Sequence, residues 1–244
     1  MKILVCISKT PDTTSRISFV NGGKDFNSDG IQFIMNPYDE WYALVRALEL
    51  KEKNGGSVSV INVGDVTNDI VIRKALAIGA DDAIRVDIEP KSAYEAAVQI
   101  AANAADYDAI FLGKETIDYN GAEVGGMVAE FLDLPFFSFV SKLDVDGTKF
   151  TMQREIEGGI ETIECSGKIV ISAAKGLAEQ RIPNMQGIMM SKRKPLNVVP
   201  SVPCESLSEV INHSLPPAKQ GVKLFNADQM DELVRLLHEE AKAI

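Results

Sequence analysis

Gly121, Gly125 and Gly126 bracket the expected start of a helix that follows the loop Gly113-Lys-Glu-Thr-Ile-Asp-Tyr-Asn-Gly121. Backbone N–H groups at such a start have no partner within the helix, and the dipole presents its positive end, so the pattern suits an anion such as a phosphate. The loop is neither G-x-x-x-x-G-K-[ST] nor G-x-G-x-x-G, so it predicts neither ATP hydrolysis nor ordinary NAD binding. A plain turn explains a glycine-rich helix start equally well. Asn36-Pro37-Tyr38-Asp39 would open an earlier helix near the same edge, where the Tyr38 ring could wall a pocket. Proline at the first position of a helix is an adequate alternative.

Side-chain catalysis lacks its parts. There is no G-x-S-x-G elbow and no H-E-x-x-H. His213 and His238 are the only histidines, and neither has a partner at helix or hairpin spacing. Cys6, Cys165 and Cys204 are widely spaced, which fits neither a disulfide framework nor paired metal ligands. A formal charge of −10 argues against nucleic acid as a partner. The one basic run, Lys192-Arg193-Lys194, reads as a solvated turn or as a partner contact. What remains is a nucleotide-sized phosphate pocket without catalytic apparatus, which points to a binding subunit.

The elements that must position this pocket follow from periodicity. Over the first 135 residues apolar runs alternate with amphipathic stretches, the signature of an α/β fold with an open, mostly parallel, doubly wound sheet. Strands are expected at 2–7, 57–63, 82–86 and 108–112. Trp41, Leu44, Val45 and Leu48 recur at helical spacing, and Asn54-Gly55-Gly56 ends that helix. A second helix carries Val71, Ala75 and Ile78 inward, a third opens with the capping box Ser92 and Glu95, and a fourth turns Val124, Met127, Val128 and Phe131 to one face. Such a sheet binds ligands beyond the carboxyl ends of its strands. Cys6-Ile-Ser8, Val63-Gly64 and the stretch from Gly113 to Met127 all end at that edge.

After Pro135 alternating segments at 136–145, 148–156 and 160–174 predict antiparallel edge strands. From Gly176 to Pro217 an irregular, extended arm is expected. A last helix, capped by Asn226 with Gln229, aligns Met230, Leu233 and Leu237 in a stripe that docks on its own domain or on a partner. The organisation is thus a nucleotide-binding α/β domain over 1–195 and a C-terminal arm and helix over 196–244. Lys2-Ile-Leu-Val-Cys-Ile7 after Met1 lacks the regions of a secretion signal and is too short to span a bilayer, so a cytoplasmic protein without membrane insertion is expected.

In order and spacing, six segments together resemble the beta subunit of electron transfer flavoprotein. They are Val5-Cys-Ile-Ser-Lys-Thr-Pro-Asp12, Met35-Asn-Pro-Tyr-Asp39, Arg73-Lys-Ala-Leu-Ala-Ile-Gly-Ala-Asp81, Gly113-Lys-Glu-Thr-Ile-Asp118, Arg154-Glu-Ile-Glu-Gly-Gly-Ile-Glu161 and Gly187-Ile-Met189. The resemblance implies an adenine nucleotide alpha hydrolase-like sheet and a heterodimer with an electron transfer flavoprotein alpha subunit. That partner would hold most of the FAD, while this chain buries a structural AMP. It also implies an electron carrier rather than an enzyme, passing electrons from acyl-CoA dehydrogenases to a quinone reductase in fatty acid oxidation.

By the same resemblance the AMP site uses Cys6, Asn36, Pro37, Tyr38, Asp39, Val63 and Gly64. Ala122, Glu123, Val124, Gly125, Gly126 and Met127 complete it, with the phosphate against the backbone near Glu123 to Gly126. The dehydrogenase recognition loop corresponds to Arg181-Ile-Pro-Asn-Met-Gln-Gly-Ile-Met-Met190, in which Met185 takes the apolar anchor position. Ile182, Pro183, Asn184, Gln186, Gly187, Ile188 and Met189 surround it. The alternative for Met185 is packing inward. Met190 replaces a customary Lys, Lys168 a Pro, Thr13 a Tyr of some relatives, and Glu123 a Gln.

Some relatives carry a second FAD in place of AMP and split electron pairs. Asp87-Ile-Glu-Pro-Lys-Ser-Ala-Tyr-Glu95 lacks the Gly-x-Asp-Thr-x-Ala-Thr pattern of that group, so AMP is preferred. Two rival readings are a nucleotide-hydrolysing enzyme of the same architecture and a stand-alone nucleotide sensor related to universal stress proteins.

Overall fold

The computed structural model describes residues 1–219 and 221–244. Four apolar runs form the centre of the sheet as β1 (Lys2–Cys6), and, after the short strands β2 (Lys9–Pro11), β3 (Phe19–Val20), β4 (Asp25–Phe26) and β5 (Phe33–Met35), as β6 (Ser57–Val63), β7 (Asp82–Val86) and β8 (Ala109–Gly113). Helices α1 (Asp39–Asn54), α2 (Asp69–Ile78) and α3 (Ala93–Ala102) connect them, and α4 (Val124–Phe131) follows β8. The second half supplies β9 (Phe136–Asp146), β10 (Lys149–Ile156), β11 (Gly159–Ser166), β12 (Ile169–Ala173), α5 (Met185–Ser191), β13 (Leu196–Val199) and α6 (Met230–Glu239).

Nine strands make one sheet in the order β11-β10-β9-β12-β8-β1-β6-β7-β13. Those from β9 to β13 in that order run parallel to one another, and β10 and β11 add an antiparallel edge. Because side chains alternate across a strand, Ile3, Val5 and Ile7 pack with α1 and α2, whereas Leu4 and Cys6 pack with α3 and α4. A doubly wound sheet covered on both faces is the result. At the end of α1, Gly55 takes a φ of 76° and its N–H bonds to the Lys51 carbonyl at 2.8 Å. That left-handed termination is the one the Asn54-Gly55-Gly56 sequence predicts.

Several local expectations are corrected. Pro37 does not occupy the first helical position: α1 starts at Asp39, and Tyr38 stands between them at a φ of 65°. The capping box of α3 is half formed, since the Ser92 side chain accepts from Glu95 N–H while Glu95 accepts from Lys91 N–H instead of Ser92. On α4 the buried residues are Gly125, Val128 and Ala129. Val124, Met127 and Val128 share one apolar cluster as expected, but Phe131 is 44% exposed and meets the Tyr94 ring edge-on.

The segment 160–174 is two strands, parted at Gly167 with a φ of 100°. β11 has no fully buried residue and lies at the edge, whereas all five residues of β12 are buried, and β12 inserts in parallel between β9 and β8. A run apolar on both faces belongs inside a sheet. The arm is also more regular than expected, for it contains α5 and also β13, which extends the sheet beside β7. The terminal helix has the expected Asn226–Gln229 capping box, but none of its residues is buried. Among the described residues, no helix is long and apolar enough to cross a membrane.

Candidate functional site

The chain runs from β1 outward through β6 to β7 and then returns to β8 on the other side of β1. The reversal of strand order therefore lies between β1 and β8, and a crevice opens beyond their carboxyl ends. Asn36 ties its two walls together. Its N–H donates to the Ser8 carbonyl at 3.0 Å, its Nδ2 donates to the Glu115 carbonyl at 3.0 Å, and its Oδ1 accepts from Ile117 N–H at 3.0 Å. With the side chain fully buried, each of these bonds is made away from competing water. Asn36 thus braces the loop after β8.

Tyr38 reverses the chain from this brace into α1 at a strained φ of 65° and ψ of −102°. Pro37, Tyr38 and Asp39 line a cavity of about 270 Å³ together with Lys114, Glu115 and Asn120. Burial raises the Asp39 carboxyl above its ordinary value, with Lys114 opposing and Glu115 adding to the shift. The next residue, Glu40, is buried against Gly113, where a Cβ would lie 2.7 Å from Glu40 Cγ and 2.9 Å from Glu40 N. Its carboxyl meets both the Ser8 N–H, at 2.7 Å, and the Ser8 hydroxyl. Desolvation pushes it up to about 8. Ser8 lies at the sheet edge the sequence pointed to, without a role assigned, and Glu40 was absent from the sequence-predicted set. The signal for Glu40 is that it shares helical spacing with Ala43, Leu44 and Ala47, the buried stripe of α1.

Cys6 faces the other side of the sheet, where it joins Val63, Val124 and Met127 in one apolar cluster. Burial first, and then Glu40, hold its thiol well above the usual range, which makes it an inert packing group. Gly64 follows Val63, and a Cβ there would fall 1.8 Å from Asn68 Nδ2. Asn68 donates at 2.8 Å to Asn62, whose own amide donates to the Ile7 carbonyl at 2.8 Å. Buried Arg85, also not foreseen, donates to the Gly64 carbonyl at 3.0 Å and pairs with Asp69 and Asp87.

Ala122 and Glu123 are exposed, and Ala122 holds a left-handed φ of 54° just before α4. Gly125 packs against Phe136, with a Cβ there 2.8 Å from the ring, whereas Gly126 leaves 3.9 Å. The N–H groups of Val124, Gly125 and Gly126 precede the first intrahelical bond, from Met127 N–H to the Glu123 carbonyl at 3.3 Å. Donors at a helix start suit an anion in general, and Cys6, Val63, Val124 and Met127 form packed apolar surface nearby. Among the described residues no group of three or more His, Cys, Asp or Glu could hold a metal ion.

The second predicted set is elsewhere, on α2. Asn184 caps α5 by accepting from Gly187 N–H at 2.7 Å, and Gly187 lies so close to α2 that a Cβ would be 2.4 Å from the Ala77 carbonyl. Arg73 donates to the Ser191 and Lys194 carbonyls at 2.8 Å, while Lys194 donates back to the carbonyls of Leu76 and Ala80. Pro183 and Gln186 line a cavity of about 440 Å³ beneath. Held in this way, the segment turns outward Ile182 at 83% exposure, Met185 at 75% and Met189 at 70%, with Ile188 beside them. The expected loop is a short helix, and Met185 does not pack inward.

Residues 25–203 match the family model described as electron transfer flavoprotein domain. This chain belongs to that family. The electron transfer flavoprotein subunit beta of Bacillus subtilis (strain 168) is 34% identical over 260 aligned residues, which cover 100% of both chains. The Homo sapiens protein of the same name is 32% identical over 243 residues, covering 94% of this chain and 95% of its own. Protein FixA of Azotobacter vinelandii is 34% identical over 211 residues, covering 81% of this chain and 74% of its own. The resemblance drawn from the six sequence segments is therefore shown.

Proposed function

We propose that this chain is the nucleotide-holding subunit of an electron-transfer heterodimer. In this reading it is an electron carrier and not itself an enzyme. It joins an electron transfer flavoprotein alpha subunit that holds most of the FAD, and it passes electrons from acyl-CoA dehydrogenases to a quinone reductase in the cytoplasm. The observation that carries the nucleotide half is the pairing of α4 first-turn N–H groups, which have no partner among the described residues, with the apolar cluster at Cys6, Val63, Val124 and Met127. AMP would bind there as a structural element, with its phosphate on the backbone of Glu123 to Gly126 and Asn36 to Asp39 closing the crevice. The FAD supplies the redox chemistry when bound. What this chain contributes is a fixed crevice, exclusion of water by its buried core, and two surfaces for partners.

Those surfaces are the α5 patch and the C-terminal arm. The division into a domain over 1–195 and an arm and helix over 196–244 serves this reading, since no residue of α6 is buried and its Met230 and Val234 are exposed. Denaturing the chain after copurification with its alpha subunit, and identifying the released nucleotide, tests the assignment. About one AMP per complex is expected. A second flavin instead of AMP would establish the electron-splitting variant, and an empty crevice would overturn the proposal.

For the α5 patch, Met185→Ala is expected to slow electron acceptance from the dehydrogenase about tenfold, the effect of losing one central apolar anchor. AMP content should stay the same, because Met185 makes no contact with the crevice. Stopped-flow reduction of the flavin and nucleotide analysis on the same preparation read both quantities. A fall in AMP with unaltered electron transfer would place Met185 in the wrong role.

A further inference from the structure

Beyond Val199 the chain leaves the sheet, yet two contacts hold it against the body before α6 begins. The first is at Gln99, buried in α3. Its Oε1 accepts from Val202 N–H at 2.8 Å, and its Nε2 donates to the Val202 carbonyl at 2.8 Å. One side-chain amide thereby completes both backbone groups of an arm residue, as a neighbouring strand would. The second contact is at the β3–β4 hairpin. His213 N–H donates to the Gly23 carbonyl at 2.7 Å, and the His213 ring stacks on Phe19 with centroids 4.9 Å apart and planes 8° apart. The hairpin turn approaches the arm so closely that a Cβ on Gly23 would lie 2.3 Å from Asn212 Oδ1 and 2.6 Å from the His213 carbonyl.

We propose that the β3–β4 hairpin is a docking site for this chain's own C-terminal arm. Gly23 and Phe19, together with Gln99 at the separate Val202 contact, are then positioning residues that fix where α6 is presented to a partner subunit. The presentation half rests on the heterodimer reading above; the docking half does not. The physical advantage is entropic. An arm anchored at His213 as well as at Val202 shortens the length of chain between anchor and α6, so the apolar stripe of α6 is kept at a higher local concentration near one place and loses less freedom on association.

Two neighbouring glycines separate this idea from simple hairpin strain. Gly22, at a φ of +72°, has nothing within 4 Å of its added Cβ, whereas Gly23, at +90°, collides with the arm. Gly22→Ala and Gly23→Ala thus carry similar left-handed strain, and only the second evicts the arm. Phe19→Ala removes the stacking without touching the turn backbone. The full chain would be followed by amide exchange at His213, whose N–H is bonded to the Gly23 carbonyl, and by titration with its FAD-bearing alpha subunit.

Expected for Gly23→Ala, and to a lesser degree for Phe19→Ala, are lost protection of that amide and about tenfold weaker association, while Gly22→Ala retains both. Protection equal in the two glycine variants and unchanged in Phe19→Ala overturns the dock. Lost protection with unchanged association overturns the positioning role. A protected arm in a wild-type chain that binds no alpha subunit refutes the heterodimer reading and the positioning with it, and supports the dock.

Discussion

Replacing Gly113 by alanine is expected to destabilise the chain by about 3 kcal/mol, lowering its melting temperature by roughly 6–12 °C, although only a methyl group is added. The cause is steric. The new Cβ would stand 2.9 Å from Glu40 N, 2.7 Å from Glu40 Cγ and 3.2 Å from Asp39 Cβ. One of these atoms is backbone, the Glu40 N, so a rotamer change alone cannot relieve the contacts. Moving the start of α1 would disturb the Ser8 bonds to Glu40 and the Asn36 brace on the loop after β8. Gly126→Ala, at the same crevice, should have the opposite sign. Its Cβ would find Phe136 at 3.9 Å, an ordinary contact, and alanine is the better helix former by about 1 kcal/mol. Thermal unfolding of the two variants side by side checks the contrast; equal melting temperatures would mean that α1 does not rest on Gly113.

The same pair of glycines shows what the sequence could and could not reveal. Glycine types mark places where a Cβ is unwelcome, but not what occupies the space. At Gly125 and Gly64 the neighbour is protein, Phe136 in one case and Asn68 in the other, whereas glycine at a helix start had suggested room for an anion. The central strands were legible because runs such as Ile3 to Cys6 and Ala109 to Leu112 are buried on both faces, and the end of α1 because Gly55 must adopt a left-handed φ. β12 was hidden because its apolar run follows β11 after a short turn, and only burial of both faces distinguishes an inserted strand from a hairpin partner. α5 was hidden by its brevity and by Pro183. Asn36 was read as pocket wall, but its bonds to Glu115 and Ile117 join segments far apart in sequence, which no local pattern can show.

Glu40 should make stability fall as pH rises, the reverse of the behaviour of most carboxylates. Its ordinary value is 4.5, and burial pushes it up to about 8 in the folded chain. Between those values the folded state holds a proton that the unfolded state releases. This stabilisation is complete below about pH 4.5, is lost as pH rises through 8, and changes no further above it. Asp39 and Asp118 add negative charge in the same direction, the Cys6 thiol is itself held protonated beside it, and Ser8 opposes the shift through its two hydrogen bonds. Lowered carboxyls such as Asp12 and Asp65 act in the other direction, but they lose stability only on acidification below their own ordinary range.

Between pH 6 and pH 8 the Glu40 contribution leads, because the raised Cys6 thiol adds its own loss only near its ordinary value of 9.0, and a loss on the order of 2 kcal/mol is expected from about 1.4 kcal/mol per unit of pH. Glu40→Gln keeps the shape and cannot ionise, so its stability should change by only a fraction of that over the same interval. Urea unfolding of both proteins at the two pH values measures the difference. Should the variant keep the full slope, the titration belongs to another group, with Asp39 the first to replace. Should it lose the slope, the junction of β1, β8 and α1 is closed by a neutral carboxyl at neutral pH, and alkaline solution weakens it through the desolvated charge, not through the Ser8 bonds, which favour the ionised form.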